Sequence, residues 1–412
     1  MSDFISDDVF AHFGCWNKEY CPSTKDSIKE KNDLRKVIDT LNKDTDIETL
    51  FVAGDNYYEP EYLPSTESTP EKVEKDKKKE KEDKLNKTLN FMYGFFRSGF
   101  ACLEDVKHLR NIHVGMGNHE VHYSDKDCNV MESIKELKNE DACIVKGKNP
   151  KLKFHFCHFE KLKHCDVLMI DTTIYEEVKG EKPTQYHCYK HILDEDKDKD
   201  VLDKLVLDKL DLEEQRKSLK AYQLGKINGY LSENLHRRLI VIGHHPMVGI
   251  KSKEKKKKED NNKEKKYENK AQRSDELIGV FRDNILPKRP NVTYLCADVH
   301  LYQKGVVTID MNDNNNNNNK YKIHQYIVGT GGTTLDEPPL DDQKKTTNYT
   351  HDESIRNHGY LKVQVNPKGK VEAKFVEVDP PTQSGGRRTR RKRSRKRKST
   401  RKRRRRSRRR KS

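Results

Sequence analysis

Five places in the chain put side chains that bind cations or move protons directly after a short apolar run. Cys15 follows "VFAHFG", Asp55 follows "LFVAG", and Asn118, His119 and Glu120 follow "IHVGMG". His244 and His245 follow "LIVIG", and Asp298 and His300 close "VTYLCADVH". Tyr58 stands three residues after Asp55. Carboxylate, amide oxygen, imidazole, phenol and thiol are donor types that hold transition metals. A carboxylate can also bridge two cations. Two cations about 3.5–4 Å apart lower the pKa of a bound water and hold a phosphoryl oxygen, which is chemistry suited to phosphoester hydrolysis. Taken singly, each group has an ordinary reading: Asp55 and the GNHE residues as turn formers, because Asn and Asp side chains bond local backbone groups, and a histidine of GHHP as a core or surface histidine. Taken jointly, five polar clusters that each end an apolar run point to one site.

Something must bring them together. The runs are short, almost continuously apolar and rich in β-branched residues, as strands buried on both faces are. A helical pattern lies between the first two. In "STKDSIKEKNDLRKVIDTLNK", Ser23 can cap, Asp26 sits three residues later, and Leu34, Val37, Ile38 and Leu41 form one face. Alternating strands and helices imply an α/β fold with a largely parallel core. Parallel strands share the edge at which they end, so the polar clusters are expected to converge there.

The order GDNYY, GNHE, GHHP and ADVH resembles the calcineurin-like metallophosphoesterase superfamily, and within it the purple (tartrate-resistant) acid phosphatase-like branch. That branch reads GD-W-G, GDNFY, GNHD/E, GHxP and GHxH. Further likeness lies in "VLMIDTT" (167–173), in "QLGKINGYLSE" before GHHP and in "IVGTGG" after the last histidine. It covers most of residues 8–380 apart from the charged insertions. The resemblance implies two mixed β-sheets packed face to face and flanked by helices, with a dinuclear metal centre at the strand ends. It implies that Asp55 bridges the metals, that Asn118 and His244 bind the second, and that Tyr58 and His300 bind the first. His119 would touch the phosphate or help protonate the leaving oxygen, and His245 would stand near the substrate. A phenol titrates near 10, so a tyrosinate ligand calls for a strong Lewis acid. Fe(III) with Fe(II), Zn or Mn beside it is the expected pair, and hydrolysis of phosphomonoesters the expected activity.

Two positions depart from that pattern. Cys15, in "GCWN", stands where the branch has its first aspartate, and Asp298 stands where it has the first histidine of GHxH. A thiolate at Cys15 would be a soft ligand for Zn or Fe. A neutral thiol there would leave the first site short of a donor. Asp298 would add a carboxylate to the second site. The departures keep a rival reading open: a catalytically weak or inactive phosphatase-like protein that binds nucleic acid. Another stretch, "FHFCHFEKLKHC", holds His155, Cys157, His158, His164 and Cys165, all zinc-binding types. Its alternating phenylalanines read first as a strand.

Charge is concentrated rather than spread. The formal net charge is +17, yet 20 of the 84 Lys and Arg lie between Arg387 and the last residue, so the rest of the chain sets 64 bases against 67 acids. We expect a near-neutral domain at 1–380 and an Arg/Lys-rich tail at 381–412. Charged insertions at about 64–87 and 251–272 and an Asn-rich loop at 312–320 lack apolar area to offset chain entropy, so they are expected to be solvated. The nine cysteines show no framework spacing and the N-terminus no cationic, apolar leader. No apolar run is long enough to span a membrane. The expectation is a reduced intracellular setting with free thiols, in cytoplasm or nucleus. The tail after a Gly-Gly pair, with the asparagine run, resembles tails on proteins of large DNA viruses, which adds a virion to the settings implied.

The tail is expected to bind nucleic acid or another polyanion through Arg387, Arg388, Arg390, Arg391, Lys392, Arg393, Arg403, Arg404, Arg405 and Arg406. No aromatic residue is interleaved, so binding should be blind to sequence. Deleting residues 385–412 should lower nucleic-acid affinity by orders of magnitude and flatten its salt dependence, since each neutralised duplex phosphate adds about 0.9 to the slope. Filter binding across a salt series measures both, and unchanged affinity would remove the tail as the polyanion site.

Overall fold

The computed structural model describes residues 6–17, 32–56, 58, 99–103, 105–122, 128, 130–132, 134–135, 151–176, 186–193, 202–203, 211–232, 236–254, 267–312, 318–340, 345–346 and 348–378. Its strands, in chain order, are β1 (Asp8–Phe13), β2 (Thr49–Ala53), β3 (Asn111–Gly115), β4 (Lys151–His155), β5 (Cys157–Lys161), β6 (Cys165–Ile170), β7 (Arg238–Ile242) and β8 (Val248–Glu254). They continue with β9 (Tyr267–Arg273), β10 (Val292–Cys296), β11 (Tyr302–Asn312), β12 (Asn318–Val328), β13 (Lys345–Thr346), β14 (Tyr349–Ile355), β15 (Gly359–Val365) and β16 (Val371–Glu377).

Two mixed sheets form the core. One runs β16-β15-β1-β2-β3-β4, with β1 to β4 parallel and β15 antiparallel to β1. The other runs β13-β14-β11-β12-β10-β7-β6-β5, with β6, β7, β10 and β12 parallel. All five apolar runs singled out above are strands in these parallel blocks: β1, β2 and β3 in the first sheet, β7 and β10 in the second. Phe10, Phe51, Val114, Val241 and Leu295 are buried, as continuous apolar strands covered on both faces must be. The sheets meet closely at the strand ends. A Cβ on Gly14 would lie 2.6 Å from Ala297 Cβ, so only glycine lets β1 and β10 approach there. His12 Nε2 donates across the sheets to the Cys296 carbonyl at 3.3 Å.

Helices flank the sheets. Helix α1 (Asp33–Leu41) buries Leu34, Val37, Ile38 and Leu41, the predicted face. Its cap is Asn32, which accepts from Arg35 N, and the proposed cap Ser23 lies outside the described residues. A one-turn helix α2 (Asn118–His122) follows β3, and α3 (Leu212–Tyr230) starts at an Asp211 cap. Helix α4 (Asp275–Val280) is capped by Ser274.

Three expectations need correction. The insertion at 251–272 is partly built: β8 and β9 pair antiparallel from Val248↔Arg273 to Glu254↔Tyr267. Ladder bonds do not depend on side-chain polarity, and buried Ile250 and Ser252 anchor the hairpin, with Ser252 Oγ donating to Pro338 O at 2.8 Å. The asparagine run is entered from both sides, since β11 and β12 pair as far as Asn312↔Asn318. The thiols are not all free. Cys128 and Cys188 form a disulfide across 60 residues, and Cys102 is disulfide-bonded as well. Spacing along the chain carries no trace of a pairing that the fold makes. Cys15, Cys157, Cys165 and Cys296 are free. Contacts divide the chain into Met1–Val378 and Asp379–Ser412. The second unit, and with it every tail residue named above, lies outside the described residues, as does 64–87. Among the described residues no helix is long and apolar enough to cross a membrane.

His12 links this fold to pH. Burial lowers its pKa to about 4, against the pull of its backbone hydrogen bonds to Cys296 and Phe51. A folded value below the unfolded value near 6.5 means its contribution is complete above 6.5 and is lost as pH falls toward 4. Roughly 3 kcal/mol is at stake over that window. His12→Gln should therefore show a flatter fall in urea midpoint between pH 7 and 4.5 than the wild type. Equal slopes would count against His12 as a source of the acid sensitivity.

Candidate metal centre

The strand ends turn in an unusual way. Cys15, Asp55 and Asp298 all have left-handed backbone, with φ of 53°, 51° and 55°. Each stands just beyond a parallel strand. For a non-glycine residue that conformation costs about 1–2 kcal/mol, and such strain persists only where the surroundings over-determine it. Here it swings three side chains into the gap where the two sheets end. Gly117 completes the arrangement: a Cβ there would lie 2.4 Å from both Asp55 N and Asp55 Oδ1.

Asp55 is the centre of the cluster, and its two oxygens face different partners. Oδ2 accepts from Tyr58 OH at 2.9 Å and from Cys15 Sγ at 3.7 Å, and Tyr58 OH lies 3.2 Å from His300 Nε2. Oδ1 lies 3.2 Å from His244 Nε2, which is 3.0 Å from Asn118 Oδ1 and 3.8 Å from Asp298 Oδ1. Two donor sets, one on each carboxylate oxygen, thus meet at a single residue. His119 leans over both: its backbone N donates to Asp55 Oδ1 at 3.2 Å, and its Nε2 is 3.8 Å from Oδ2.

The fold also orients the imidazoles. A carbonyl can only accept, so His244 Nδ1 donates to Ala53 O at 2.7 Å and His300 Nδ1 donates to Thr334 O at 3.1 Å. Both rings thereby present Nε2 to the cluster, the way outer hydrogen bonds orient metal-binding histidines. His245 sits to one side, with Nδ1 3.1 Å from Thr172 Oγ1 and Nε2 3.2 Å from Glu176 Oε2.

The imidazoles respond differently: burial lowers the pKa of His119 and of His300 against the pull of Asp55, while His244 goes the other way. Burial opposes ionisation of Asp55, but the charges of His244 and His119 outweigh it and hold the carboxyl well below its usual range. Burial likewise opposes a charged His244, yet Asp55 and Asp298 raise it to about 10. Burial and the charge on Asp55 push the Cys15 thiol and the Tyr58 phenol well up. Both are neutral donors to Asp55 unless a cation takes their protons' place. The donor types, their convergence and the fixed ring orientations fit two cations sharing Asp55. Cys15, Asp55 and His244 also bring one ligand atom each within 4.8 Å of one another, as do His244, His245 and Asp298.

All nine catalytic and metal-ligand candidates read from the sequence stand in this one region. The second sequence cluster does not assemble as such. His164 Nε2 donates to Ser6 O at 2.9 Å, and burial pushes the Cys157 thiol up to about 12 and Cys165 higher. Only His155 and His158 meet, with ring centroids 3.9 Å apart.

Sequence reasoning gave no supporting role to the residues that hold the loops. Glu120 is fully buried and accepts from Asn56 N and, at 2.6 Å, from Gly117 N, tying the ends of β2 and β3 together. Burial first, then Asp55, raises its pKa to about 7. Asn56 is gripped in turn by Trp16 Nε1 at 2.9 Å. Thr172 Oγ1 accepts from both His244 N (3.0 Å) and His245 N (2.8 Å). The carboxylate three residues after Gly117 was the one available signal, and its type suggests a ligand before it suggests a clamp. Thr172→Val keeps the shape but strands two buried N–H groups. It should cost about 1–3 kcal/mol and weaken metal binding, measured by urea midpoint and metal titration. A silent substitution would remove Thr172 as the support of the His244 loop.

No family model and no curated protein matches the chain. Among solved structures it is similar to a purple acid phosphatase, PPD1, isolated from yellow lupin (Lupinus luteus) seeds, with 14% identity, a TM-score of 0.47, and coverage of 90% of this chain and 52% of that one. It is also similar to PhoD, with 13% identity, a TM-score of 0.49, and coverage of 90% of this chain and 69% of that one. The chain thus spans about half the length of the lupin protein. At these identities and TM-scores no activity follows from either likeness.

Proposed function

We propose that the chain is a metal-dependent phosphoesterase acting on phosphomonoesters. The observation that supports this most is the shared carboxylate, with Asp55 Oδ2 facing Cys15 and Tyr58 and Oδ1 facing His244. Cys15, Tyr58 and His300 would hold one cation with Asp55. Asn118, His244 and Asp298 would hold the other. Iron paired with zinc, iron or manganese suits a set that mixes phenol, thiol, imidazole and carboxylate. Such a pair supplies charge to neutralise phosphoryl oxygens and lowers the pKa of a water.

The chain's own groups do the rest. His119 keeps its side chain 20% exposed beside the buried Asp55, so its Nε2 can reach a bound ester and give a proton to the leaving oxygen. His245, held by Thr172 and Glu176, borders the same space and can donate to a phosphoryl oxygen. The tail would gather the protein onto polyanions, independent of the strand-end site. Asn118→Ala and His244→Ala should each lower bound metal and reduce aryl-phosphate turnover at least a hundredfold while the protein stays folded. Full activity in either would sink the shared-carboxylate assignment.

The rival reading, a weak or inactive phosphatase-like protein that binds nucleic acid, draws on one observation: burial and Asp55 both favour a neutral Cys15 thiol. Two variants separate the readings. If Cys15 is a ligand, Cys15→Ser should lower metal stoichiometry, because a neutral hydroxyl is the poorer donor. If Cys15 only packs, serine should leave stoichiometry unchanged, and Cys15→Asp should raise activity by supplying a carboxylate.

A further inference from the structure

The β8–β9 hairpin leaves the candidate centre at its histidines, with only Pro246 and Met247 between His245 and β8. Side chains alternate between the two faces of a strand, so each contact fixes which face it lies on. On one face of β8 stands Gly249, where a Cβ would lie 3.0 Å from Cγ2 of Val299, the residue between Asp298 and His300. Its register partner on β9 is Gln272, whose Nε2 donates to Asp298. This face therefore looks onto the ADVH turn. Two residues farther out on the same face stand Lys251 and Lys270, again register partners. Lys251 Nζ donates to Asp336 Oδ2 at 3.1 Å, and the same oxygen accepts from His300 N at 3.0 Å.

We propose that Lys251 and Lys270 form an anion subsite beside the metal centre, and that the substrates are phosphomonoesters whose alcohol carries a second phosphate. This rests on the phosphoesterase reading and narrows its substrate class.

Like charges directly opposite one another on neighbouring strands destabilise a sheet. The strand partner of Lys270 is another lysine, not an acid. The hairpin keeps its shape by other means. Ser252 N donates to Glu337 O at 3.2 Å, Ser252 Oγ to Pro338 O at 2.8 Å, and Asn269 Nδ2 to Leu340 O at 3.2 Å. Ser252 and Asn269 alternate with the two lysines, so these anchors leave the lysine face open to a ligand. An anion between the two ammonium groups turns their repulsion into attraction. An ammonium has three N–H donors, and Asp336 occupies one of those on Lys251. Lys270 is exposed. Position agrees as well. Two residues along a strand cover about 7 Å, so the lysines start that far beyond the Gly249–Gln272 pair that meets the ADVH turn. That spacing suits a second phosphate better than another oxygen of the reacting one. Gln272 on Asp298 and Lys251 on the partner of His300 tie the hairpin to two candidate ligands, which holds the subsite at a set distance from the centre.

The test compares adenosine 3′,5′-bisphosphate with adenosine 5′-monophosphate on the full, metal-loaded chain, with phosphate release as the readout. The wild type should favour the bisphosphate in kcat/KM. Lys270→Ala should reduce that preference about tenfold, the effect of one charge-assisted hydrogen bond, and the loss should lie in KM rather than kcat. Lys270→Glu should reduce it further. Lys251→Ala should act in the same direction, and an equal loss on both nucleotides would strike Lys251 from the subsite and overturn the pair. Every protein compared carries the same tail, so the tail's charge cancels from these ratios. A 5′-phosphorylated oligonucleotide offers its second charge on the neighbouring phosphodiester. Whichever substrate loses more in Lys270→Ala, oligonucleotide or bisphosphate, identifies the source of the second charge. Turnover of both nucleotides at a ratio that neither Lys270 variant changes would overturn the subsite and leave the phosphoesterase reading standing. Turnover of neither by the wild type would overturn that reading, and the subsite with it.

Discussion

Asp55 is a carboxylate buried in the seam between two sheets, on a backbone that L-residues avoid. A buried anion with no partner would be prohibitive, and would take up a proton instead. It is kept ionised because every neighbour answers it: a phenol, a thiol, two imidazoles and a backbone N–H. The rest of the region follows from that need. Gly117 must be glycine for the β3 loop to come close enough. Gly14 must be glycine for β1 and β10 to close at their ends. The strand ends are therefore the place where packing and chemistry impose the same geometry.

Around that carboxylate lies a layer of residues that are not themselves candidate ligands but decide where the candidates point. Glu120 ties two loops, Thr172 holds two successive histidine amides, and Ala53 and Thr334 carbonyls orient two rings. Asp336 accepts from His300 N at 3.0 Å and from Lys251 Nζ at 3.1 Å, linking the His300 loop to the β8–β9 hairpin. Gln272 of that hairpin donates to Asp298. A segment that composition marks as surface filler thus reaches the candidate centre through two carboxylates.

Cys15 and Asp298 look different once seen on the backbone. Both share the left-handed turn of Asp55. A chain that had discarded the first position would have no evident reason to keep a strained thiol there, aimed at the central carboxylate. The physical argument for a neutral thiol is equally concrete, since burial and Asp55 both hold its proton on. Charge in the pocket, rather than geometry, is where the two readings of Cys15 diverge.

Much of this was legible before folding. Apolar runs ending in polar groups identify the strands, because strands buried on both faces favour apolar side chains, and the order of their terminal residues names the candidate ligands. The face of α1 was readable for the same reason: helical period and burial are local properties. What lay beyond the sequence depends on contacts between distant segments. The Cys128–Cys188 disulfide, the hairpin built from a lysine-rich insertion, and the Glu120 and Thr172 clamps each join residues whose types alone suggest something else. His113 shows this best. In the sequence it is one polar residue inside an apolar strand, and nothing marks the residues near 155–165 as its neighbours. Only the crossing from β4 to β5 brings His155 and His158 to it, because a side chain's chemistry is written in the sequence while its neighbours are chosen by the fold.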